Sequence, residues 1–91
     1  MPPTVVTIQY LGVVRLLLGK KEDVLEFAAP PNLAAIQTTL SARYGESIAQ
    51  ACRQQTFLYY PPDTTTGQVI SPQDPLVNNS VLKIASLVTG G

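Results

Sequence analysis

The sequence predicts an α+β fold in which one main helix lies across one face of a mixed sheet. Three observations carry this. Residues 4–10 alternate, with Val6, Ile8 and Tyr10 on one face and Val5, Thr7 and Gln9 on the other, which is the period of a half-buried strand. Leu33, Ile36, Leu40 and Tyr44 recur at helical spacing between Asn32 and Gly45, residue types suited to open and close a helix. Residues 81–88 form a long apolar run whose only polar members are Lys83 and Ser86, so that strand is expected at the centre of the sheet. Strand pairs at both ends of the chain around a single helix define the class.

The elements follow in order. After the first strand, Val13, Val14, Leu16, Leu17 and Leu18 surround Arg15 and predict one helical turn or an irregular apolar connection, stopped by Gly19. Lys20-Lys21-Glu22-Asp23 reads as a solvated turn, and residues 24–27 as a second strand pairing back on the first. Pro30-Pro31 breaks that strand, because proline has no N–H to give to a ladder. Asn32 then caps the main helix. A shorter helix is expected over residues 46–53, with Ile48, Ala51 and Cys52 inward. Phe57 to Tyr60 reads as a strand cut off by Pro61-Pro62, Gln68 to Ile70 as a brief edge strand, and Leu76 as a core plug. The sheet is thus expected to have four to five strands.

Length and composition bound the function. Ninety-one residues make one domain with a single core. Charged residues are 13% of the chain, against ~25% in an average domain, so an exposed apolar patch is expected, of the kind that meets other proteins. Six basic and six acidic residues cancel, which gives no electrostatic reason for a nucleic-acid or membrane partner. The lone cysteine, Cys52, excludes an intrachain disulfide, and the start lacks the basic and apolar regions of a signal peptide. The expected setting is cytoplasmic.

Chemistry is scarce. Without histidine there is no Ser-His-Asp, Cys-His or His-ligated zinc arrangement. The carboxylates are scattered, Gly19-Lys20 fails the phosphate-loop pattern, and Cys52 is expected to be a small buried hydrophobe. Of Tyr59 and Tyr60, alternation turns one inward and leaves the other as an interface anchor; Tyr59 is assigned to the partner surface. No site of the chain's own is visible, and no bound cofactor or metal is expected. Attention therefore falls on Leu87-Val88-Thr89-Gly90-Gly91. Gly-Gly is a thin thread with a carboxylate at its tip, and an α-carboxyl of pKa about 3.3–3.7 is ionised at neutral pH. Such a group can attack the α-phosphate of a nucleotide held by another protein. The alternative is a terminus that merely frays.

The order of features resembles the MoaD/ThiS-type β-grasp sulfur carrier family, and most closely the small subunit of molybdopterin synthase. Three segments carry the likeness: the strand running into Val14-Arg15-Leu16-Leu17-Leu18-Gly19, the helix ending at Tyr44-Gly45, and Pro75-Leu76 followed by an apolar strand and Val88-Thr89-Gly90-Gly91. The resemblance spans nearly the whole chain. It implies a ubiquitin-like β-grasp domain over residues 1–91, with 87–91 as a flexible tail. It implies that an ATP-using enzyme of the ubiquitin-activating type adenylates Gly91, which then becomes a thiocarboxylate. Gly90 would give clearance, and Leu87, Val88 and Thr89 would guide the thread. The expected acceptor is the large molybdopterin synthase subunit or another sulfur-accepting enzyme, such as one of thiamine synthesis. The chain departs from the family at Val77-Asn78-Asn79-Ser80, at Ser86-Leu87 and at Tyr59-Tyr60-Pro61-Pro62. Two further functions compete: a ubiquitin-type protein modifier using the same activated glycine, and an interaction module whose tail is chemically idle.

Overall fold

A computed structural model of the chain describes residues 3–85, in the order β1 (Thr4–Tyr10), α1 (Val13–Leu18), β2 (Glu22–Phe27), α2 (Leu33–Tyr44), α3 (Glu46–Arg53), β3 (Thr56–Tyr60) and β4 (Ser80–Ala85). The four strands form one mixed sheet in the order β2-β1-β4-β3. β1 pairs antiparallel with β2 and parallel with β4, and β3 pairs antiparallel with β4. The apolar strand expected at the centre is β4, flanked on both sides. Its burial nevertheless alternates, with Ser80, Leu82 and Ile84 inward and Val81, Lys83 and Ala85 half-buried.

One sheet face is covered. Val6, Ile8 and Tyr10 of β1, Leu25 of β2, Tyr59 of β3 and Leu82 and Ile84 of β4 form a single core with Leu33, Ile36 and Leu40 of α2. Val14 from α1, Cys52 from α3 and Leu76 from the last loop complete it. Leu76 is the expected plug, and its N–H donates to the Pro31 carbonyl at 2.7 Å. Registration places Val24, Thr7, Val81 and Tyr60 in one row across the opposite face, which no core residue occupies.

The helix boundaries follow from local chemistry. Asn32 caps α2 as expected, its Oδ1 accepting from the Ala35 N–H at 2.9 Å. The apolar turn after β1 is a helix, closed by a left-handed Gly19 whose N–H donates to the Arg15 carbonyl at 2.9 Å.

Several expectations are corrected. Gly45 has φ 92° and ψ 165°, a positive φ but not the left-handed helical cap. It ends α2 through its N–H to Ser41 and starts α3 through its carbonyl to Ala49, so one residue turns the chain between two helices. α3 buries Ala49 and Cys52, whereas Ile48 and Ala51, also expected inward, are only partly buried. β2 starts at Glu22 rather than residue 24, because the Tyr10 N–H donates to the Lys21 carbonyl at 2.8 Å and zips the hairpin closed two residues earlier. The expected edge strand at 68–70 reduces to one bridge, in which Tyr59 and Gln68 exchange backbone bonds of 2.8 and 2.9 Å.

Candidate functional site

Gly90 and Gly91, expected to carry the chemistry, lie outside the described residues, as do Leu87, Val88 and Thr89. The described chain ends just before them, at Ala85 of β4. Ala85 stands opposite Thr56 on β3, and on the other side the Leu11 N–H donates to the Ile84 carbonyl at 3.0 Å. Because β1 and β4 are parallel, β4 runs out at the sheet end where β1 passes into α1. Leu11, Val13, Leu16 and Leu17 are exposed in that connection, with Arg15 on the same helix. This is the apolar patch that the low charge content anticipates.

Tyr59 is not at a partner surface. It is 6% exposed, packs in the core, and its hydroxyl accepts from the Val77 N–H at 3.0 Å. Alternation holds, but with the opposite assignment: Tyr60 is the half-buried member, and Lys83 Nζ lies 4.6 Å from its ring centroid. Tyr59 therefore fastens the last loop to β3. Pairing with β4 decides the inward face of β3, and that cannot be read from two adjacent tyrosines.

The densest polar group is one that sequence reasoning missed. Asp23, read as part of a solvated turn, has a side chain only 10% exposed. Its Oδ2 accepts from the Tyr10 hydroxyl at 2.7 Å and also from the Tyr44 hydroxyl. Its Oδ1 accepts from Lys20 Nζ at 3.1 Å and lies 3.8 Å from Arg43. Lys20 Nζ also donates to the Tyr44 hydroxyl at 3.0 Å. The cluster joins the end of β1, the α1–β2 turn, β2 and the last turn of α2. Burial alone would raise the Asp23 carboxyl, but bonds from Tyr44, Tyr10 and Lys20 outweigh it and hold the group below its ordinary value. Tyr10 is pushed far up, by burial first and then by its bond to Asp23. A fixed anion between two phenol donors and two cations suits a clasp rather than proton transfer near neutral pH. The available signal was that Tyr10 and Tyr44 both end apolar stripes, where a phenol reaching the rim needs a partner.

Cys52 is buried as expected, and burial raises its thiol, so it is no thiolate nucleophile near neutrality. Glu46 binds Arg53 and accepts from the Ser41 hydroxyl at 2.9 Å, and the Arg53 bond lowers its carboxyl. Among the described residues no group of His, Cys, Asp and Glu side chains could hold a metal ion, and no helix is long and apolar enough to cross a membrane. No family model matches the chain, and no curated protein does.

Proposed function

We propose that this chain is a β-grasp sulfur carrier. The observation that supports it is the placement of β4, a central strand gripped on both sides, six residues before Gly91. A rigid strand at the end of the described core gives a following thread a fixed origin from which to enter another protein's pocket. The β1–β2 hairpin, the helix across one face and β4 beside β1 are compatible with the β-grasp arrangement.

In this reading a carboxylate oxygen of Gly91 attacks the α-phosphorus of ATP on a ubiquitin-activating-type enzyme, and pyrophosphate leaves. Sulfur at the sulfide level, as hydrosulfide, then attacks the acyl carbon and gives up its proton to solvent, and AMP leaves with the electron pair of the broken C–O bond, so that a thiocarboxylate forms without oxidant or reductant. The thiocarboxylate sulfur is the better nucleophile and passes to a biosynthetic acceptor. Molybdopterin synthesis, with this chain as the small synthase subunit, is the acceptor system the resemblance favours. Gly90 keeps the thread narrow, Leu87, Val88 and Thr89 guide it into the partner, and the domain supplies no catalytic group. The setting is cytoplasmic, where a thiocarboxylate meets its partners.

The test is the intact mass of the chain, both purified from its own cells and after incubation with a ubiquitin-activating-type enzyme of those cells, ATP and sulfide. Replacement of one oxygen by sulfur at Gly91, lost when Gly91 is deleted, supports the carrier. Linkage of Gly91 to lysine of other proteins would identify a modifier instead. A Gly91 carboxylate unchanged in both preparations, or a chain whose mass shows that Gly91 is not its carboxyl terminus, would refute the proposal.

A further inference from the structure

The outer side of α1 is apolar where water favours polar residues. Val13, Leu16 and Leu17 fall at i, i+3 and i+4, so they share one side of the helix, and they are 49%, 83% and 52% exposed. Leu11, just before the helix, is also exposed. Val14 and Leu18 already serve the core from the inner side, so folding alone does not account for the outer residues.

Two depressions adjoin this surface, of about 330 and 180 Å³, and both are lined by Arg15 and Lys21. Four of the six basic residues already have partners, although one of them, Lys20, also lines the larger depression. Lys20 and Arg43 hold Asp23, Arg53 holds Glu46, and Lys83 lies over Tyr60. Arg15 and Lys21 make no salt bridge among the described residues. Glu22 lines the smaller depression and pairs with neither. The two cations without an internal role therefore share one apolar patch.

We infer that this surface, Leu11, Val13, Leu16 and Leu17 with Arg15 and Lys21, docks an acidic amphipathic segment of a partner protein. Its apolar side chains cover Leu16 and Leu17, and its carboxylates pair with Arg15, whose planar fork matches a carboxylate, and with Lys21. A second copy of this chain is a poor occupant, since a two-fold contact here brings the same cations together. An anionic bilayer is poorer still: polybasic attachment uses clusters of about four to eight basic residues. The patch sits at the sheet end where the chain runs past Ala85, so a partner held here stands beside the root of residues 86–91. The inference does not require the sulfur-carrier reading.

The test is an amide-shift titration of the isotope-labelled full chain with three probes. These are a synthetic helical peptide with leucine at i, i+3, i+4 and i+7 and glutamate between, the same peptide with lysine for glutamate, and phosphatidylserine vesicles. The acidic peptide should bind, shift amides of residues 11–21 and weaken with salt. Leu16→Ser, and separately Arg15→Glu with Lys21→Glu, should each weaken it roughly tenfold, as loss of a central contact does. The charge-reversed variant should come to prefer the lysine peptide. Equal binding of both peptides, shifts centred on the open sheet face, binding to vesicles alone, or no binding would each overturn the inference. All these side chains are exposed, so unchanged melting should accompany each variant.

Discussion

The Asp23 carboxylate shows how one side chain can hold several elements together. With its folded pKa below the ordinary 3.8, it binds a proton less readily folded than unfolded. The stability it contributes is therefore fully present above 3.8 and lost as the pH falls through the folded value. Asp23→Asn should lower stability at neutral pH by roughly 2 kcal/mol, since it weakens bonds to two phenols and a cation at once. Urea unfolding of both proteins should show the gap closing below pH 3.8; a gap that persists in acid would mean that the charge of Asp23 is not what stabilises. Gly67 poses a steric question instead. A Cβ there would lie 2.8 Å from the Tyr60 ring, which Lys83 covers on the sheet face. Gly67→Ala should cost roughly 1 kcal/mol, and the cost should largely vanish in a Tyr60→Ala background.

Among the elements, α1 carries the sharpest contrast. Val14 is fully buried and Leu16 is 83% exposed, two positions apart. Val14→Ala should destabilise by roughly 2 kcal/mol through a cavity, whereas Leu16→Ala should stay within about 0.5 kcal/mol. Thermal unfolding of the pair checks the assignment of faces, and equal losses would contradict it. α2 was legible in extent, though not in the conformation of Gly45 at its end, because its signals are local: the Asn32 side chain caps its own helix three residues on, and the apolar stripe has only one side to bury. α3 was legible in extent but not in orientation. Packing against α2 decides which of Ile48, Ala49 and Ala51 turns inward, and short side chains carry little directional signal.

For the molecule as a whole, β4 carries the arrangement, with Leu82 and Ile84 buried between β1 and β3. Leu82→Ala should cost roughly 3 kcal/mol and lower the thermal midpoint more than any exposed-face substitution on β2, such as Val24→Ala. A loss no larger than that of Val24→Ala would remove β4 from the centre of the core. The strand's position was foreseen from its apolar run, and the α+β class from alternation followed by helical spacing. Tyr59 was placed on the wrong face, and Asp23 was assigned to solvent, because both depend on neighbours distant in sequence: Val77 for the first, Tyr44 and Arg43 for the second.

By itself the amino-acid sequence determined the four strands of the sheet, though not the start of β2 and not the edge strand expected at 68–70, together with the capped main helix, the buried cysteine and the Leu76 plug, because periodicity and capping act within a few residues. Only the tertiary structure decided the Asp23 clasp, the inward turn of Tyr59 and the gathering of Arg15, Lys21 and the outer leucines at the end of β4. The first two need segments far apart in the chain to meet, and the third, local in residues 11–21, needs β4 to pair beside β1 before it stands at that strand's end; the residue pattern within one segment does not record which segment it will meet.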